Sequence, residues 1–141
     1  MKKSVMFWGM VLFALIGLAV SAYLTYLSST PPSGCPIGGF SVFSCDEVIW
    51  SKYSHFCGIS VAFLGLGWFA VAGGLLLLAR QHERVLRGLV VWSLIGAAGV
   101  AGFVYTEIFL IGTVCVLCTL AHISGLVILA LSIISVYLRS S

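Results

Sequence analysis

Four long apolar runs, parted by short polar breaks, set the pattern of the chain. They cover about residues 5–27, 58–79, 88–105 and 114–138. Each is close to the length of about 20 residues that a helix needs to cross the hydrocarbon core of a bilayer. Backbone polar groups in lipid must be satisfied within their own segment, so these runs predict helices and not an open sheet. The one polar stretch of any length, about residues 28–57, holds Pro31, Pro32 and Pro36 and reads as a loop. The expected fold is an all-α membrane protein: a single four-transmembrane-helix bundle over residues 1–141. No internal repeat or low-complexity tract is visible.

Composition supports this class and excludes others. The 141 residues are 61% hydrophobic and only 8% charged, with a mean hydropathy of +1.19. Soluble domains carry about 25% charged residues. The few charges orient the spans. Lys2 and Lys3 precede the first, Arg80, Arg84 and Arg87 fill the link between the second and third, and Arg139 follows the fourth. Basic residues collect on the cytoplasmic side. Both termini are therefore expected inside, in the cell membrane, with residues 28–57 and a short turn near residues 106–112 facing out. The net charge of +3 then reports topology and not nucleic-acid binding. The Met1-Lys2-Lys3 start resembles a signal peptide, but the apolar run that follows is too long for one, so the first helix is expected to be retained.

Charge alone leaves function open; the cysteines narrow it. All five, Cys35, Cys45, Cys57, Cys115 and Cys118, fall in the outward loop or at an outward helix end. That side is the compartment where disulfides form and persist. Cys115 and Cys118 stand at i and i+3 near the start of the fourth span, so they share a helix face. Cys35 and Cys45 lie in the loop. Thiol–disulfide exchange needs a thiolate that attacks a disulfide sulfur, and a loop pair that can swing onto a fixed pair offers such a relay. Cys115, close to a helix N-terminus, lies where the helix dipole favours a thiolate, while Cys118 sits one turn deeper. Cys57 alone reads as a small apolar packing residue. A zinc site with four thiolate ligands is a formal alternative, although the long, uneven spacing is unlike a zinc ribbon.

Two further stretches carry a resemblance. Ser44-Cys45-Asp46, Val48, Ser51, Tyr53-Ser54, Gly58-Ile59 and Gly65 resemble the first loop and second helix of prokaryotic vitamin K epoxide reductase homologues. Tyr105-Thr106-Glu107 and Cys115-Val116-Leu117-Cys118-Thr119 resemble the end of the third helix and the redox motif of the fourth. The resemblance spans nearly the whole chain, without the fused thioredoxin-like domain of some members. It implies a quinone-dependent thiol–disulfide oxidoreductase. Such an enzyme reoxidises an extracytoplasmic thioredoxin-like protein and so supports disulfide formation in exported proteins. Carried over, Cys35 and Cys45 take electrons from that partner, Cys115 exchanges with Cys45, and Cys118 lies beside the quinone (ubiquinone, menaquinone or a relative). Ser51 matches a loop residue near the redox site. Cys57 falls outside the family pattern, and Ser60 stands where many prokaryotic members have proline.

A quinone would enter from lipid and meet the cysteines near the outer face, in a mostly apolar pocket with a few fixing polar groups. Candidate lining residues from the outward helix ends are Phe56, Val61, Phe63, Leu64, Tyr105 and Thr119. His122 follows Cys118 by four, on the same face. It matches a family position held by tyrosine near the quinone carbonyl in vertebrates, and an ionisable group at that depth is a functional candidate. Glu107 has two readings: a solvated helix end, or a group that positions the fourth helix. Two rival functions use the same cysteines. A soft-metal transporter predicts thiols on both sides of the membrane, and a structural subunit with disulfides predicts no effect of changing Cys118 alone.

Overall fold

The structure is a computed structural model that describes residues 2–29, 48–49 and 51–141. Cys35 and Cys45 lie outside the described residues, and the side chain of Phe56 is likewise not described. Helix α1 covers Lys2–Ser29. A 3-10 turn at Lys52–Ser54 leads into a hairpin of β1, His55–Phe56, and β2, Ile59–Ser60. Helices α2, Val61–Ala79, and α3, Glu83–Tyr105, follow. A π-helical turn, Thr106–Ile111, and a short connector then lead to α4, Val116–Ser140. Four helical segments are long and apolar enough to cross a membrane, the third taken as Glu83–Ile111. The two-residue strands are the one departure from an all-α chain among the described residues.

The third helix begins at Glu83, ahead of the apolar run that predicts it. An acidic side chain in the first turn complements the helix dipole, and Glu83 pairs with Arg87 at 3.1 Å across one turn. Both groups are exposed, so the pair adds little; it extends the helix beyond its apolar part.

Each helix packs against its sequence neighbours, and α1 against α4 closes the ring. On α1 the buried residues are Met10, Ala14, Gly17, Ser21 and Leu24. This alternating spacing of four and three gives one inward stripe. On α4 the stripe holds Leu117, Ala121, Ser124, Ile128, Ser132 and Ser135. Small residues line the interior while Trp8, Leu12, Leu15, Leu77 and Phe109 face outward. That is the distribution expected where the surroundings are as apolar as leucine and close backbone approach holds helices together. Two buried serines of α4 are satisfied within their own helix: the Ser124 hydroxyl donates to the Leu120 carbonyl at 2.9 Å and Ser132 to Leu129 at 2.8 Å, whereas the buried Ser93 hydroxyl of α3 has no partner among the described residues.

Two contacts fix the helix pairs. A side chain at Gly17 would run into the ring of Phe69, so glycine there brings α1 onto α2. Trp68 and Trp92 tie α2 to α3 reciprocally. The indole N–H of Trp68 donates to the Trp92 carbonyl at 3.3 Å, and that of Trp92 to the Trp68 carbonyl at 3.2 Å. Their rings stack 6.4 Å apart. At the basic end, Arg139 donates to the Ala79 carbonyl at 3.1 Å, joining α4 to the last turn of α2. Lys3, Arg80 and Arg139 surround a space of only about 20 Å³ there.

Candidate functional site

The opposite end of the bundle holds the described cysteines, Cys57, Cys115 and Cys118, and is hollow. A cavity of about 720 Å³ opens among all four helices. Ser21 and Leu24 line it from α1, Val61, Leu64, Gly65 and Trp68 from α2, Gly96, Gly99, Gly102 and Phe103 from α3, and Cys118, Ala121 and His122 from α4. Val48, Ile49, Tyr53 and Ser60 form its rim, with Thr106 beside them. The hollow follows from composition. Gly99 and Gly102 present no side chain, and a Cβ added at either would meet nothing within 4 Å.

Cys115 is the N-cap of α4. Its backbone is extended, and its sulfur accepts the N–H of Cys118 at 3.4 Å. The sulfur therefore lies at the positive end of the helix, where negative charge is favoured. Cys115 has no exposed surface and belongs to an apolar cluster with Leu24, Val48, Ile49 and Leu117. Cys118 is half-buried with a free thiol and faces the cavity. The two sulfurs thus have different surroundings: one sealed under residues 48–49, one open to the hollow.

His122 lines the same cavity one turn beyond Cys118; its ring lies 5.8 Å from that of Phe103. Val61 and Leu64 are also at the wall. Phe63 and Tyr105 are not: they are 54% and 57% exposed on the outer surface. At about 100° per residue, Phe63 falls on the face of α2 opposite Val61, Leu64 and Trp68. Tyr105 turns outward beside Phe109, ring to ring at 5.0 Å. Thr119 is held elsewhere, its hydroxyl donating to the Cys115 carbonyl at 2.9 Å, a back-bond typical of threonine in a helix. Ser51 does not reach the cavity. Its hydroxyl donates to the Val48 carbonyl at 2.9 Å, which fixes the residue that covers Cys115.

Cys57, read from sequence as a packing residue, is instead exposed at the tip of the hairpin. Cys57 and Gly58 have φ of 54° and 82°, as a two-residue hairpin turn of this kind requires. Trp68 and the α3 glycines escaped the sequence reading, and Tyr53 and Ser60 entered it through the resemblance alone, not as cavity residues. Glycines three residues apart on α3 were the available signal for a hollow wall. Glu107 is also a surprise for a helix end: it is 2% exposed, and its carboxylate accepts the backbone N–H of Cys115.

The cavity suits a flat apolar ring with polar edges. Its volume is typical of small-molecule sites, which are mostly apolar with a few placed polar groups. Here Cys118, His122, Tyr53, Ser21 and Ser60 supply those groups. A comparison with curated proteins finds no match. The model of the vitamin K epoxide reductase family matches residues 8–133, a stretch that reaches into all four helices and contains Cys115 and Cys118. The chain therefore belongs to the vitamin K epoxide reductase family, whose members are membrane thiol–disulfide oxidoreductases.

Proposed function

We propose that this protein carries electron pairs from a reduced thioredoxin-like protein, on the outer side of the cell membrane, to a membrane quinone. The route runs through Cys35 and Cys45, then Cys115 and Cys118, and its product supports disulfide formation in exported proteins. The observation that carries the reading is the pairing of Cys118 and His122 on the wall of one 720 Å³ apolar cavity, next to a sealed Cys115. A quinone supplies the oxidant, taking up two electrons and two protons.

The chain's own residues do the rest. Val48 and Ile49 pack on Cys115, and three peptide units separate Val48 from Cys45. An extended chain spans at most about 3.6 Å per residue, so Cys45 is tethered within roughly 11 Å of a residue touching the Cys115 cluster. That short tether favours exchange between Cys45 and Cys115. The N-cap position of Cys115 supports the sulfur when it carries charge. Cys118 presents its sulfur to the cavity. His122 offers a hydrogen bond or proton to an oxygen held there, and the apolar wall excludes water from the exchange.

The test is quinone consumption by the purified protein in lipid, with a reduced thioredoxin-like donor, for wild type and Cys118→Ala. Wild type is expected to turn over and the variant to fall to background. Equal turnover in both would end the relay and restore the structural-subunit reading. No turnover of wild type with either ubiquinone or menaquinone would end the quinone assignment.

A further inference from the structure

One buried ionisable group takes no part in the route just described. Glu107 lies in the π-helical turn after α3. Such turns insert an extra residue into the helical ladder and re-aim side chains, often at functional sites. Here Ile108, Phe109 and Leu110 face outward, while Glu107 is turned inward and is 2% exposed. Gly112, with φ of 78°, ends the turn; its N–H donates to the Glu107 carbonyl at 2.8 Å. The left-handed residue swings the chain back so that the Cys115 N–H meets the Glu107 carboxylate. The other oxygen, Oε1, is fully buried with no hydrogen-bond partner.

A connector role needs one acceptor, which a glutamine would supply. It does not explain a second buried oxygen left open, an arrangement that is destabilising and rare unless it is used. Chemistry beside it does explain it. Oxidising two thiols to a disulfide releases two protons. Cys118 faces the cavity, but Cys115 is wholly buried, away from any solvent that could take its proton. Of the described titratable groups at this end, Cys118, His122 and Tyr53 border the cavity, Lys52 and His55 sit on the turn and hairpin, and Tyr23, Tyr26, Tyr105 and Cys57 are exposed. The other carboxylate side chain among the described residues is Glu83, at the far end of α3.

We propose that Glu107 is the proton acceptor for the Cys115 thiol, an inference that rests on the thiol–quinone reading above. The Cys115 S–H bond breaks, its electron pair stays on sulfur, and the proton passes to Oε1. That pair then forms the bond to the Cys118 sulfur. Two electrons leave to the quinone with two protons, one of them released again by Glu107, so dithiol and quinone become disulfide and quinol. Glu107 accepts the backbone N–H of Cys115, so its carboxyl is held at the residue whose thiol it serves.

The test compares wild type, Glu107→Gln and Glu107→Asp in two readouts. One is quinone turnover; the other is peptide-resolved alkylation of Cys115 across pH in the reduced protein, which needs no quinone. Glutamine keeps the acceptor for the Cys115 N–H but cannot take a proton. Turnover of Glu107→Gln at neutral pH is expected to fall about 100-fold at unchanged quinone KM. Cys115 alkylation is expected to slow by a similar factor and to recover as pH rises. Aspartate, one methylene shorter, is expected to lie between the two. A glutamine variant with wild-type turnover and alkylation overturns the proposal, as does an aspartate variant no better than glutamine. Should the glutamine variant fail to fold, Glu107→Ala with added formate decides: restored Cys115 alkylation upholds the proposal and no restoration overturns it. If wild type consumes no quinone, the functional reading falls while the alkylation comparison still judges Glu107.

Discussion

The two ends of this bundle are built from the same four helices and differ in what fills them. At the basic end the space between helices shrinks to about 20 Å³; at the cysteine end it widens to about 720 Å³. The tight half buries Met10, Leu76, Leu86, Leu89 and Ile128 almost completely. The hollow half has Gly99 and Gly102 where such side chains would stand and keeps its polar groups at the wall. Cohesion and chemistry are thus assigned to different stretches of the same helices. Close-packed interiors resist any change of volume, so a bundle packed tightly along its whole length would leave no room for a ring. One packed solely through its hollow half would lack contacts to hold it.

This division can be broken from either side. The largest effect is expected from Leu89→Ala, which removes a fully buried side chain from the tight half. It should cost about 2–5 kcal/mol of stability, seen as a lower unfolding midpoint, while turnover per folded molecule stays at the wild-type value. A loss of turnover without loss of stability would mean that the halves are not separable. Gly99→Leu attacks the other side. Its side chain projects into open space and so is expected to raise the quinone KM at least about tenfold. Thermal stability should hold or rise slightly, because leucine is favoured over glycine in a helix by up to about 1 kcal/mol. The smallest effect concerns the hairpin. Cys57 holds a left-handed backbone with φ of 54°, a conformation that costs a non-glycine residue about 1 kcal/mol. Cys57→Gly should recover a stabilisation of that order, read as a higher unfolding midpoint with turnover unchanged. A fall in turnover would give Cys57 a part in the relay.

What sequence made legible follows from where water and lipid differ. The four helical spans stood out because each is a long apolar run, and Cys115 and Cys118 because they share a face at a helix start. The inward face of α2 did not stand out. From Val61 to Ala79 every residue is apolar or glycine, and lipid is as apolar as a core, so periodicity cannot say which side is buried. Phe63 and Val61 look alike on that basis, yet they lie on opposite faces. Tyr105 fails for the same reason. Glu107 was legible as a residue but not as a buried one, since the π-helical turn that redirects it has no apolar signature. The partners of Trp68 were hidden too, because both indoles bond to backbone carbonyls 24 residues away.

That tryptophan pair has an optical consequence. Trp68 forms part of the cavity wall and stacks on Trp92 with ring planes only 12° apart. Quinones quench indole emission at short range, so an occupied cavity should dim Trp68 while leaving Trp8, which faces outward near the other end, bright. Binding of the quinone proposed above would thereby be readable from the protein's own emission, without a label.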